Sequence, residues 1–295
     1  MGDDRTYKRK GCSGLRKNVI WGYAGIFPGA FGIWEGDVTA NRLRFAARHG
    51  FASTHIALEE LEDPARRELI GNLVAEHGLR LTPHLDGVDY FGDDLAGAER
   101  AIDRFVASLA ANKELLRAPI AATCVGPYHR FMQRPPLERQ MERLARLLAP
   151  AARACRELGV PLAIENHGDY YGSDLAALCA EVPGLGILLD TGNAYLVGER
   201  PVDAARAAAP YTVGMHLKDH LVHPDPHTLT FVLKGASLGE GHAGLAEIYD
   251  IVMEYAAADT LVIQWELIPP DGMDPFESLE RSRSFIRTLQ GGERL

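Results

Sequence analysis

From Asn18 onward the chain alternates between two hydrophobic periods. Short apolar runs of strand length, rich in β-branched residues, precede longer stretches whose apolar residues recur at three- and four-residue steps, as in a helix that buries one face. Eight such pairs can be traced, with strands at VIWGYA (19–24), FASTHIAL (51–58), LRLTPHL (79–85), PIAATCV (119–125), PLAIEN (161–166), LGILLD (185–190), TVGMHLK (212–218) and LVIQWEL (261–267). Between them lie amphipathic segments such as TANRLRFAARHG, PARRELIGNLVAEHG, AERAIDRFVASLAANKELLR and LERQMERLARLLAPAARACRELG. Gly50, Gly78 and Gly159 close three of these segments, where a left-handed residue ends a helix. Strand and helix alternating at this spacing predict parallel strands with helical crossovers. Eight units without a G-x-G-x-x-G turn predict a closed (β/α)8 TIM barrel of the α/β class, not an open doubly wound sheet. Residues 18–295 form that single domain, and residues 1–17 (MGDDRTYKRKGCSGLRK) read as a flexible, polar N-terminal extension.

Composition narrows the function. With 295 residues, 46% of them hydrophobic, the chain can bury a barrel core. A formal charge of −9 argues against nucleic acid as a partner, because phosphates call for a basic face. No apolar run approaches the roughly 20 residues that span a bilayer, so no membrane partner is expected. Cys12, Cys124, Cys155 and Cys179 are scattered without a C-x-x-C pair. That pattern fits free thiols in a reducing, cytoplasmic setting.

The barrel also says where chemistry belongs, at the C-terminal ends of the strands and the loops that follow. Four consecutive strand ends there offer a metal-capable side chain after an apolar run: Glu165 in LAIEN, Asp190 in GILLD, His216 in GMHLKD and Glu266 in VIQWEL. A carboxylate at such a place is costly to bury unpaired, and four such groups converging on one rim predict a cation between them. Three carboxylates and an imidazole form a hard, oxygen-rich shell that suits Mn²⁺, with Mg²⁺ or Co²⁺ as alternatives, better than a structural zinc. An ion held this way could take two oxygens of an α-hydroxyketone and stabilise the enediolate left when the neighbouring carbon loses its proton.

At these residues the sequence resembles the xylose-isomerase-like barrel superfamily of sugar phosphate isomerases and epimerases, with AIENHGD, LLDTGNA, MHLKD, SLGEG and QWEL in family order. The resemblance implies metal ligation by Glu165, Asp190, His216 and Glu266, and proton transfer by the two glutamates. It implies a carbohydrate substrate and a divalent-metal isomerase or epimerase, with a lyase of the same superfamily (keto-sugar dehydratase, 3-keto-glycoside lyase or decarboxylase) as the alternative. Three positions depart from the ketose 3-epimerase pattern: Tyr171 replaces a second glutamate, Asn193 a histidine and Val222 an arginine. A plain hexulose 3-epimerase is therefore not expected.

Other rim residues compete for roles. His167 follows Glu165 by two, on the same face of an extended chain, and reads either as an acid–base group or as a loop histidine holding Asp169. Lys218 follows His216 by two and reads either as a catalytic cation for an oxyanion or as the partner of Asp219. His84, His129, Arg130, Asn193 and Glu240 are candidate substrate contacts, Glu240 with a loop-shaping role as the alternative. The segment 219–238, with two prolines and three histidines, reads as a lid or binding loop. A homo-oligomer is expected, with a hetero-oligomer as the alternative. A non-catalytic or partner-dependent subunit, and an abasic-site endonuclease on the same barrel, are the rival functions; the acidic charge and the single-metal pattern count against the endonuclease.

Overall fold

The computed structural model describes residues 17–25, 28–33, 35–126, 130–131 and 135–291. Most of the predicted N-terminal extension, together with the candidate substrate contact His129, lies outside them. Lys17 is described, and its ammonium donates to the carbonyl of Ala258 at 3.0 Å.

Eight parallel strands close into the expected barrel: β1 (Asn18–Tyr23), β2 (Ser53–Ala57), β3 (Arg80–Leu85), β4 (Ala121–Thr123), β5 (Leu162–Glu165), β6 (Leu185–Asp190), β7 (Thr212–Leu217) and, after the hairpin described below, β10 (Thr260–Trp265). Closure comes from β1, which pairs with β10 from Asn18↔Thr260 to Tyr23↔Trp265 and with β2 on its other edge. Helices α1 (Val38–Arg48), α2 (Pro64–His77), α3 (Leu95–Leu116), α4 (Leu137–Glu157), α5 (Gly172–Glu181), α6 (Pro201–Ala208), α7 (Leu245–Tyr255) and α8 (Pro275–Leu289) follow the barrel strands in turn.

Local chemistry sets the helix ends. Asp37, Asp63, Asp94 and Asp274 cap α1, α2, α3 and α8 by accepting from free backbone N–H groups of the first turn. Gly78 ends α2 at φ 65°, a left-handed conformation that costs a side-chain-bearing residue steric strain. The long helix α4 turns Leu144, Leu147, Leu148, Ala151, Ala152 and Cys155 inward. Burial of each leucine there contributes about 1.5–3 kcal/mol.

Alternation along the strands positions the site. Ile120, Ala122, Ala163, Leu188 and Val262 form a separate small core cluster. Gly214 faces it, since a Cβ there would come within 2.9 Å of Ile120 and 3.1 Å of Leu188. Two residues further along their strands, on the same inward face, stand Glu165 after Ala163, Asp190 after Leu188 and His216 after Gly214. Gln264 and then Glu266 continue from Val262 in the same way. The apolar plug thus supports a polar mouth.

The segment 219–238, read from the sequence as a lid or binding loop, has regular structure of its own. It holds an antiparallel hairpin of β8 (His220–Pro224) and β9 (Phe231–Gly235), paired from His220↔Gly235 to Pro224↔Phe231. Most hairpin side chains are partly or fully exposed. Neither face is buried, and the polar–apolar alternation of a barrel-facing strand is accordingly missing from its sequence.

Candidate metal centre

Glu165 ends β5, Asp190 ends β6, His216 lies near the end of β7, and Glu266 follows β10 directly. All four are buried, and one ligand atom from each lies within 4.8 Å of the others. His216 Nδ1 is 3.1 Å from Glu165 Oε1, 3.4 Å from Glu266 Oε2 and 4.0 Å from Asp190 Oδ2. Its other nitrogen, Nε2, lies 3.2 Å from Gln264 Oε1, while Gln264 Nε2 reaches Thr82 at 3.4 Å. A proton on Nε2, donated to Gln264, leaves Nδ1 to address a cation.

Asp190 is equally constrained. Its Oδ1 accepts from the backbone N–H groups of Gly192 and Asn193, both at 2.8 Å, which turns Oδ2 toward the centre. Asn166 clamps the Asp190 backbone from both sides, accepting from its N–H at 2.7 Å and donating to its carbonyl at 2.9 Å. Lys218, 7% exposed, sends its ammonium to Asp190 Oδ2 at 3.0 Å, to Asn193 Oδ1 at 3.0 Å and to Glu266 Oε1 in a close ion pair. Asp190 Oδ2 and Glu266 Oε2 are fully buried and accept no well-aligned hydrogen bond, although each lies near a cationic side chain. Two buried carboxylate oxygens that accept no well-aligned hydrogen bond, beside the His216 Nδ1 and a third carboxylate, fit a hard divalent cation.

The charges respond to this crowding. Burial opposes the imidazolium of His216, but Glu165 and Glu266 outweigh it and hold its pKa well above the ordinary value. Burial also pushes against ionised Glu266, yet His216 and Lys218 reverse that and hold its carboxyl down at about 2. For Asp190 burial wins over the Lys218 ammonium, and the carboxyl is pushed up to about 7.

The remaining rim residues are distributed unevenly. His84 is partly exposed in the mouth, its ring parallel to that of His216 with centroids 6.3 Å apart, and its Nε2 is buried without a partner. Asn193 faces Lys218. The Arg130 guanidinium is turned toward α5, ion-paired with Asp174 at 2.5 Å and 3.4 Å above the Tyr171 ring, so Tyr171 is occupied as a stacking platform. Glu240 is exposed and pairs with Arg281 at 3.3 Å. Asp219 shapes the turn around it instead, accepting from the N–H groups of Gly239, Gly241 and Ala243 at 3.0–3.1 Å. Lys218 and Asp219 therefore point to different partners, as alternation along a strand requires. His167 is exposed, and its backbone N–H donates to Asp169 Oδ1 at 3.0 Å. Val222 sits in the hairpin, its N–H donating to His242.

Sequence reasoning missed His55, Asn166 and Gln264. His55 meets His84 edge-on, with ring centroids 5.6 Å apart, and could have been found from its inward parity with Ser53 on β2. Gln264 similarly precedes Glu266 by two.

A closed parallel barrel with a buried carboxylate–imidazole cluster at its C-terminal mouth defines a class, and comparison with known proteins agrees. The sequence profile of the xylose isomerase-like TIM barrel family matches residues 43–289, and the chain belongs to that family. The fold is similar to a xylose isomerase-like TIM barrel protein from Mycobacterium smegmatis in complex with magnesium (TM-score 0.64, 18% identity, 85% of this chain and 88% of that one). It is similar also to the 3-keto-D-glucoside 4-epimerase YcjR from E. coli (TM-score 0.65, 15% identity, 92% and 100%). A third similar fold is the D-allulose 3-epimerase from Methylomonas sp. (TM-score 0.63, 16% identity, 92% and 97%). Among curated proteins, "Uncharacterized protein YihM" of Escherichia coli (strain K12) is 32% identical over 73 residues, and that match spans 24% of this chain and 22% of the relative. Among the described residues no helix is long and apolar enough to cross a membrane.

Proposed function

We propose that the chain is a divalent-metal-dependent isomerase or epimerase that moves a proton beside the carbonyl of a keto-sugar or related hydroxyketone, through an enediolate. The observation that carries this reading is the buried cluster of Glu165, Asp190, His216 and Glu266, with orphaned oxygens directed at one point. Held by these four, a divalent ion, Mn²⁺ in this reading, supplies Lewis-acid stabilisation of the oxyanion that develops as the proton leaves.

The chain's own residues divide the remaining work. Glu165 engages His216 through Oε1, and in this reading its other oxygen takes the proton from substrate. Glu266 is tied through Oε1 to Lys218, whose ammonium brings positive charge close to the reacting oxygens. His84 and His55, both partly exposed and held neutral by burial, serve in this reading as hydrogen-bonding groups for sugar hydroxyls. His167, exposed at the rim two residues beyond Glu165, is placed to exchange a proton with solvent. The similarity in fold to sugar epimerases supports the substrate class.

A lyase reading of the same site is favoured by two observations. Tyr171 and Asn193, at positions where the ketose 3-epimerase pattern has a glutamate and a histidine, are engaged by Arg130 and Lys218, so the epimerase's substrate grip is not reproduced. Both readings share proton abstraction and differ in whether the enediolate is reprotonated or expels a leaving group.

The test is proton–deuterium exchange by NMR on a panel of keto-sugars and keto-acids in D₂O, with metal-loaded wild-type protein and Glu165→Gln. Metal-dependent deuterium uptake beside a carbonyl, lost in the variant, is expected, and the products separate isomerase from lyase. Metal-loaded protein that neither exchanges nor converts any member of the panel would count against the reading and favour a non-catalytic subunit.

A further inference from the structure

We propose that Lys218 is a permanent cationic member of the metal centre, which matches the site's charge to a divalent ion. The inference rests on the metal-binding reading above and concerns what selects the ion.

The three ligand carboxylates carry −3, and the Lys218 ammonium among them brings the cluster to −2, the charge that one divalent ion neutralises. In a buried site this count matters, because an uncompensated unit charge interacts far more strongly there than in water. The geometry shows that the lysine is built in. Its backbone is fixed by Thr191, whose hydroxyl accepts from Lys218 N–H at 2.9 Å and reaches its carbonyl at 2.7 Å. Its stem runs over Gly192, where a Cβ would come within 2.6 Å of Lys218 Cδ, so only glycine leaves that channel open. Its head is received by Asn193 Oδ1, and Asn193 is anchored in turn by donating to the Asn166 carbonyl at 3.0 Å. Because Lys218 takes Glu266 Oε1, it leaves Oε2 as the single oxygen that Glu266 presents to the centre. Lys218 is thus a positioning residue for Glu266 and an electrostatic one for the ion.

The test compares a divalent with a trivalent probe on metal-stripped, full-length protein: Mn²⁺ by calorimetry and Tb³⁺ by its luminescence. Removing one positive charge a few ångströms away favours the trivalent ion by one extra unit of Coulomb interaction, so Lys218→Met is expected to raise the Tb³⁺-to-Mn²⁺ affinity ratio about tenfold. Lys218→Arg, which keeps the charge, is expected to restore the wild-type ratio. Lys218→Gln, which removes the charge but keeps a polar head for Glu266 and Asn193, must move the ratio in the same direction as Lys218→Met and serves if that variant does not fold. A ratio that stays constant while both affinities fall together overturns the proposal and leaves Lys218 a purely structural residue. Folded wild-type protein that takes up neither ion overturns the metal centre itself, and the proposal with it.

Discussion

His216 on β7 and the pair His55 and His84 on β2 and β3 face the same mouth, with His84 parallel to His216, yet they lie in opposite electrostatic surroundings. Around His216 stand Glu165, Asp190, Glu266 and Lys218, and the imidazole is held protonated in the metal-free protein. Around His55 and His84 burial dominates, and both are pushed below the ordinary histidine range, so they stay neutral. Among the described residues every buried carboxylate comes from the β5–β10 half of the sequence, whereas the buried polar residues of β2, β3 and β4 are Ser53, Thr54, Thr82 and Thr123. Barrel geometry offers both halves the same inward positions. Side-chain identity alone decides which half gathers carboxylates and which carries neutral polar groups.

That contrast can be broken most readily with pH. In the carboxylate half an incoming ion must displace the proton of His216, whose pKa is raised, and of Asp190, which titrates at about 7. Protonated ligands bind no metal, so affinity is expected to rise with pH between about 6 and 8, by about tenfold per unit for each ligand still protonated, Asp190 and His216 together below about 7 and His216 alone above it. Calorimetric titrations across that range check it, and a flat profile would mean that the ligands are not proton-blocked. A smaller effect is expected at the seam between the halves. Arg130, in the loop after β4, is joined to Asp174 and Tyr171 of the β5–α5 side. Arg130→Met should cost about 1 kcal/mol of stability in thermal melts, the scale of a partly exposed ion pair with a cation–π contact, and leave Mn²⁺ affinity unchanged.

Much of this was legible in the chain. Strand β6 runs over LGILLD as expected, and the other seven barrel strands begin or end within about two residues of their predicted ends, most sharply where an apolar run such as LAIE or TLVIQW is bounded by turn residues. The four metal-capable residues were legible for the same reason, a lone charge after an apolar run. The hairpin was not, since both its faces are solvated and periodicity carries no signal there. Arg130 and Glu240 showed the right residue types at the rim, but their ion pairs with Asp174 and Arg281 join loops and helices whose proximity only folding reveals. Lys218 lies between: its spacing from His216 marked it as a rim residue but left pairing with Asp219 open, while its partners Asp190 and Glu266 belong to neighbouring strands, a register the sequence does not state.

The central claim is that Glu165, Asp190, His216 and Glu266 hold one divalent ion, and its most direct test is a titration of Mn²⁺ into metal-stripped wild-type protein beside Asp190→Asn. One ion per chain is expected for the wild type. The variant should lose more affinity than the roughly 10–100-fold that follows loss of an outer-shell partner, since the proposal makes Asp190 Oδ2 a direct ligand. A folded wild-type chain that takes up no ion, or a variant that binds as tightly as the wild type, would contradict the account.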